Sequence, residues 1–558
     1  MSHTFSEQPR QSANRWFHQC LEQHSACNRE RLATTWYPTR LLWLQEPSQS
    51  HDSIRLIETA KEAPSGPYAT LSHCWGGASF LQLKKTSLST FCAGIPTTEL
   101  PKTFQEAILV ARFLGISYIW IDSLCIMQDK DDLSDWYREA ASMDRVYMHS
   151  LCNISATDAK DGSHGLFRNR DLHHVRQARA KVCVTEFQCP TKYVDCIVHD
   201  LSLQRASVRN SVLGQRGWVL QETVLAPRVL HFAAHQLFWE CREHAACERY
   251  PGGFPEDFGA MRFKVDQDYG ARDQDASGTR HDVAHASTRP DDWRGWSSLI
   301  SAYTSMSLTC PSDKLIALSG IAKQYAARYD DTYVAGMWRK KLLHQLLWFV
   351  THNATRMEGS LQTHPTVYRA PSWSWAAIDC RVQQVPDDFY SCFLFQVEDV
   401  GIVHATNDTT GGILKGWLDL KAQLKPTQLL WRRRRDVYNT DVYSWHMVIN
   451  DVEETWCEGI RLDKHTSDER AFDGDNANSR LFYMPAGRVA HKIDYHAIRF
   501  LLFRVLDVDQ GIYERLGCGY QYGDELVEIA MLADADEDVK KGVPCVRYED
   551  GMHTIRVI

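Results

Sequence analysis

Between residues 66 and 156 the chain alternates two kinds of hydrophobic pattern. "YATLSHCW", from Tyr68, is a short apolar run with β-branched and aromatic residues that ends at Gly76 and Gly77, predicting a buried strand and then a turn. "LPKTFQEAILVARFLG" puts Phe104, Ala107, Ile108, Ala111 and Leu114 on one helical stripe, with Thr103 and Glu106 spaced as a capping box and Gly115 as the stop. "SYIWID" stays apolar until Asp122, the pattern of a central parallel strand covered on both faces. After a polar loop, "WYREAASMDRVYMHS" reads as one helix with Trp136, Ala140, Met143 and Tyr147 on a shared face and Glu139 at its edge; "LCNISA" gives a third strand.

Strands alternating with helices at this spacing predict an α/β fold with a parallel sheet, whose ligands bind beyond the carboxyl ends of the strands. The first of those ends carries His73, Cys74, Trp75 and Gly76, and the second Asp122, Ser123 and Cys125. "RGWVLQETVLAPRVLHF", from Arg216, predicts a further helix and a returning strand. Residues 255–292, polar and rich in Gly and Asp, read as a flexible insertion. Residues 293–352 read as helical, including "DKLIALSGIA" and "MWRKKLLHQLLWFV". Beyond "RAPSWSWAAID", stretches such as "GGILKGWLDLKAQL" and "RFLLFRVLDV" predict a β-rich region. The expected division is an N-terminal extension (1–65), an α/β domain (66–235), a partly flexible insertion and helical region (236–375), and a β-rich accessory domain (376–558).

Composition narrows the function classes. A net charge of −8 gives no electrostatic footprint for nucleic acid, and the absence of any run of about 18 apolar residues predicts no membrane span. With no apolar leader at the N-terminus, the expectation is a soluble, cytoplasmic protein, and 17 cysteines, an odd count without a regular framework, then read as reduced thiols. Cys20, His24 and Cys27, and Cys241, His244 and Cys247, each offer three metal ligands, and together they would overfill one tetrahedral zinc. Neither has paired CxxC spacing, so buried thiols and no metal are expected.

Taken together and in order, "LSHCWG", "YIWIDSLCIMQ", "WYREAASMDRVY" and "RGWVLQE" resemble the fungal heterokaryon incompatibility (HET) domain. "PTRLLWL", "SDKLIALSGIA", "YVAGMW" and "PSWSWA" are similar to flanking features of long fungal HET proteins. The resemblance is strongest over residues 66–235. It implies regulated cell death when genetically unlike hyphae fuse, an incompatibility partner that the sequence does not identify, and a core distantly similar to TIR domains, with a flavodoxin-like parallel sheet. Several TIR domains cleave NAD+ at the nicotinamide glycosidic bond with a helix glutamate. Glu139, three residues after Trp136, resembles that glutamate by position, although the Asp-Ser-Leu-Cys ahead of its helix departs from TIR sequences.

On this reading NAD+ is a candidate substrate and no cofactor is permanently bound. A carboxylate near the ribose stabilises an oxocarbenium-like state, a role open to Glu139 and Asp122. Each residue also has a plainer reading: Glu139 as a solvated carboxylate, Asp122 as a loop cap. Ser72 and His73 would contact ribose or diphosphate, and Gly76 and Gly77 would let backbone amides approach a phosphate. Trp75 and Trp120 either stack on a base or simply pack; Arg216 pairs with a phosphate or with Glu222. A Cys74 nucleophile is disfavoured, because adjacent strand residues point to opposite faces and His73 is badly placed to activate it. The alternative function is a non-enzymatic signalling module acting by self-association.

Overall fold

The computed structural model describes residues 3–28, 36–44, 53–77, 80–184, 192–255, 294–351, 367–384, 390–435, 441–449, 452–453, 460–463, 472, 480–489, 496–523 and 537–558. Almost all of the insertion expected at 255–292 therefore lies outside the described residues. The chain divides into two compact units, one of Met1–His285 with Ala317–Gln324, the other of Ala286–Ile316 with Tyr325–Ile558.

The first unit contains, in chain order, α1 (Glu7–Gln23), β1 (Arg40–Trp43), β2 (Ser53–Glu58), β3 (Tyr68–Ser72), β4 (Ile95–Pro96), α2 (Lys102–Phe113), β5 (Tyr118–Trp120), α3 (Asp122–Cys125), α4 (Ser134–Ala140), α5 (Met143–Met148) and β6 (Cys152–Ser155). There follow a hairpin of β7 (Ala178–Val184) and β8 (Lys192–Val198), then α6 (Gly217–Leu225), β9 (Arg228–Phe232), β10 (Leu237–Cys241) and β11 (Ala245–Cys247). Nine strands form one mixed sheet in the order β11-β10-β9-β6-β3-β5-β1-β2-β4. Its centre, β5-β3-β6-β9, is parallel throughout. Antiparallel strands extend it on both sides. The sheet thus draws β1 and β2 from the expected N-terminal extension and continues past residue 235 into β10 and β11.

Taken by chain position, the four parallel strands lie in the spatial order 2-1-3-4. Such a sheet reverses its winding between its first and third strands, here β3 and β6, and the crevice above their carboxyl ends is where ligands bind. β3 is buried along its whole length, as a central strand must be. Gly115 closes α2 at φ +72°, as its position in the sequence suggested.

Three local expectations are corrected. α2 starts at Lys102, so Thr103 and Glu106 do not cap it. Glu106 accepts instead from the backbone of Leu166 and Phe167, and Thr103 from Gly165 N; these donors would otherwise be buried without partners. The single helix expected at 136–150 is two, α4 and α5, broken near Ser142, whose hydroxyl turns back to the Arg138 carbonyl. In α4 the buried face carries Asp135, Glu139 and Ala140, with Glu139 4% exposed, so Glu139 is not a solvated carboxylate.

In the second unit, "DKLIALSGIA" enters a helix over Ile316–Tyr329 whose central turns belong to the first unit. "MWRKKLLHQLLWFV" is not one helix: it divides into the strand pair residue Met337–Trp338, a short turn, Leu342–Gln345 and the strand Phe349–Val350. Trp373 and Trp375 of "PSWSWA" are fully buried, and Trp375 donates to Gly336 O, where a side chain on the residue (φ +93°) would strike its ring at 2.7 Å. The remainder is β-rich, as expected. A large sheet packs Met447, Tyr483, Phe500 and Leu502 in its core, and the C-terminal strand Met552–Val557 sits antiparallel to Ile413–Ala422 and parallel to Ile512–Gly523.

Candidate functional site

The carboxyl ends of β3 and β5 gather polar side chains beside the reversal between β3 and β6. Beyond β3, His73 is 5% exposed, and its ring is held by a hydrogen bond to the Leu71 backbone and lies edge-on to Phe104. Burial, together with the Arg216 charge, keeps its pKa below the ordinary histidine value against the opposing pull of Asp122, so the imidazole is neutral at pH 7. Its Nε2 stands 3.7 Å from Asp122 Oδ1. Among the described residues His73 Nε2 has no hydrogen-bond partner, and neither does the buried hydroxyl of Ser123.

Asp122 opens α3. Its Oδ1 accepts from Ser123 N at 2.7 Å and its Oδ2 from Trp75 Nε1 at 2.8 Å. These bonds fix the carboxylate while leaving its side chain 29% exposed. Trp75 is half-buried, edge-on to Phe80. Arg216, at the start of α6, donates to the carbonyl of His73 and so ties the loop after β3 to that helix.

A second carboxyl group completes the cluster. Glu222, 8% exposed on α6, hydrogen-bonds to Ser72 and Tyr147. Burial, reinforced by the Asp122 charge, pushes its pKa up to about 7, against the hydrogen bonds and the Arg216 charge. Ser72 is itself positioned by Asn153 of β6, whose Nδ2 donates to Ser72 Oγ at 2.9 Å. Asn153 is fully buried. Trp120 is also fully buried and meets Tyr147 edge-on, with ring centroids 5.8 Å apart; it supports Tyr147 from within the core.

Gly76 has φ +67°, and a Cβ on it would lie 2.4 Å from that of Asp161. The glycine is needed for this close passage. Cys74 is buried against Leu213 and Val219, and burial raises its thiol pKa, which disfavours a thiolate nucleophile.

Glu139 lies in a neighbouring ion-pair group. Arg40 grips Asp135 through both guanidinium nitrogens, at 3.0 and 2.5 Å, and donates to the Cys125 carbonyl at 2.6 Å. Burial opposes ionisation of Asp135, but these bonds hold its pKa below the usual carboxylate range. Glu139 contacts Arg138 at 3.3 Å, and its charge strengthens the basicity of Arg40. Cys125, whose thiol burial pushes up to about 12, feels the charges of both Asp122 and Glu139. The two acids therefore flank the α3 turn, Asp122 on the cluster side and Glu139 among the ion pairs.

The fold thus brings Ser72, His73, Trp75, Asp122 and Arg216 together. It adds Glu222, expected only as a partner for Arg216, Ser123, expected at the strand end without a role, Tyr147, expected on a packing face, and Asn153. Glu222 had a usable signal: it lies among Val219, Leu220, Val224 and Leu225 in a helix apolar on most sides, where an acid has to be buried. The chemistry available is that of a fixed carboxylate beside a carboxyl that exchanges its proton near pH 7, with a neutral imidazole between strand ends. That set suits stabilising a developing cation and moving one proton.

Residues 68–222 match the model of the family described as Heterokaryon incompatibility protein (HET). No curated protein and no solved structure matches the chain.

Proposed function

The chain carries a HET domain at residues 68–222, and from that premise we propose that it is an incompatibility effector that triggers cell death by hydrolysing NAD+ at the strand-end cluster. The observation that supports this reading is the pair of interacting carboxyl groups, Asp122 after β5 and Glu222 against Ser72 at the end of β3, beside the reversal of the parallel sheet. The 2-1-3-4 strand order also supports kinship with the TIR-like, flavodoxin-like architecture. NAD+ is the substrate in this account, and the protein needs no resident cofactor.

Loss of nicotinamide leaves positive charge on the ribose, which Asp122 stabilises from the position fixed by Trp75 and Ser123. Glu222 takes the proton of the attacking water, and His73 and Ser123 offer buried polar atoms to the ribose hydroxyls. Glu139, which resembles the TIR glutamate by its position in the sequence, lies on α4; in this account it acts through Arg40 and the α3 turn on the setting of Asp122. The test is expression in fungal hyphae of the wild type and Asp122→Asn at matched protein levels. Death with NAD+ depletion in the wild type and survival with normal NAD+ in the variant are expected; equal killing by both removes the enzymatic reading.

One observation favours the second reading, self-association. In the β7–β8 hairpin the pairs Val182–Val194, Ala180–Cys196 and Ala178–Val198 share one face, and Val182, Val194 and Val198 are exposed. An isolated two-stranded ribbon is marginal in water, so an apolar face on it suits docking against a second copy. Val182→Ser with Val194→Ser should then abolish both a dimer seen by light scattering and the killing, with NAD+ untouched.

A further inference from the structure

The last turn of α1 and the end of β10 bring three groups from residues 20–27 together with a fourth more than 200 residues further along the chain. Cys20 and His24, one helical turn apart, share a face of α1 and its end, Cys27 follows in the turn, and Cys241 ends β10. Their ligand atoms, three sulfurs and a ring nitrogen, all lie within 4.8 Å of one another, and His24 Nδ1 is 3.3 Å from Cys241 Sγ. We propose that Cys20, His24, Cys27 and Cys241 form a structural zinc site that pins α1 to the edge of the sheet.

Metal–ligand lengths of about 2.3 Å for sulfur and 2.0–2.1 Å for nitrogen set the edges of a tetrahedral site at about 3.5–3.8 Å. The group needs to contract by no more than about 1 Å to reach them. Four protein ligands fill the coordination shell, which makes the site structural, with no open position for a substrate. The second shell is also in place. His244 N donates to Cys241 Sγ at 3.2 Å, and Asn28 Nδ2 caps the carbonyls of Cys20, Leu21 and His24. Arg242 and Glu243 bind the Ala26 carbonyl and amide, lashing the ligand loop to the β10 turn.

Charge supplies an independent argument. Arg228 is 1% exposed, and a buried guanidinium requires an anion nearby. Among the described residues its hydrogen bonds go to the neutral oxygens of Asn28 and Leu151 and, from Nε at 3.2 Å, to Cys20 Sγ. Three thiolates and one neutral imidazole around Zn2+ carry a net charge of −1, which Arg228 neutralises. Binding Zn2+ to the thiols releases their protons to solvent and requires no oxidant. His244 and Cys247, the other ligands suggested by spacing, stay outside the group; Cys247 is buried with Phe238 and Tyr250.

The test uses the full chain, purified without chelator or added metal. Elemental analysis should find about one zinc per chain, and the protein stripped and reloaded with Co2+ should show the ligand-field and thiolate charge-transfer bands of tetrahedral cobalt. Cys27→Ser should lose the metal, Cys247→Ser should keep it, and Arg228→Gln should weaken it by about 10–100-fold. If Cys27→Ser does not fold, the cobalt spectrum of the wild type decides alone. Neither zinc in the purified protein nor a tetrahedral spectrum on adding Co2+, or a disulfide among Cys20, Cys27 and Cys241 by mass spectrometry, overturns the proposal.

Discussion

Replacing Glu222 by glutamine exchanges a buried ionisable acid for a neutral group of the same shape. In the folded protein its pKa is pushed from the ordinary 4.5 to about 7, chiefly by burial. That rise corresponds to about 3 kcal/mol of preference for the protonated form. The sign follows from proton counts. Below pH 4.5 both folded and unfolded chains hold the proton and there is no effect. Between pH 4.5 and 7 only the folded chain holds it, so stability falls as pH rises; above 7 both forms are ionised and the loss levels off. Glu222→Gln removes this slope. Equilibrium urea unfolding of wild type and variant, measured from pH 5 to 8.5, should therefore show the variant gaining on the wild type by about 2–3 kcal/mol between the two ends. Parallel stability curves across that range would refute the reasoning, because they would mean that Glu222 does not change protonation there.

Other perturbations bear on single features. Asp122→Asn removes the charge that helps to raise Glu222, so the midpoint of that pH dependence should move to lower pH, as read from the same urea series. Asp135→Ala leaves Arg40 buried without its carboxylate and should cost about 3–5 kcal/mol in thermal or urea unfolding. Gly76→Ala forces a side chain onto Asp161 at a positive φ and should cost about 1–3 kcal/mol by the same assay. Trp75→Phe keeps an aromatic ring, though a smaller one, and deletes the donor to Asp122; the expected loss is about 1.5 kcal/mol, together with weaker NAD+ binding by calorimetry.

The parallel strands were legible because "YATLS", "YIW" and "CNIS" are short runs without charge, rich in apolar, β-branched or aromatic residues and spaced by helical patterns. Asp122 was legible for the same reason, as the acid that stops such a run. The antiparallel margins were not: β1 is four residues long and pairs with β5 far along the chain, and β10, although it pairs with the adjacent β9, falls past the domain boundary expected at residue 235. Glu139 was found from the resemblance, but its burial was not foreseen, because a carboxylate beside an apolar stripe looks the same whether it faces water or a buried arginine. The thiol–imidazole group was legible in part: the two triplets together offered enough ligands for one tetrahedral site, but only the fold selects Cys241, 217 residues along the chain from His24, and leaves His244 and Cys247 out.

The measurement that bears most directly on the central claim is the time course of NAD+ with the purified full chain, over a range of protein concentrations that includes any self-associated form. The account predicts loss of NAD+ with stoichiometric release of nicotinamide, abolished in Asp122→Asn at unchanged unfolding temperature. Stable NAD+ at every concentration would contradict it and leave the exposed face of the β7–β8 hairpin as the surface to pursue.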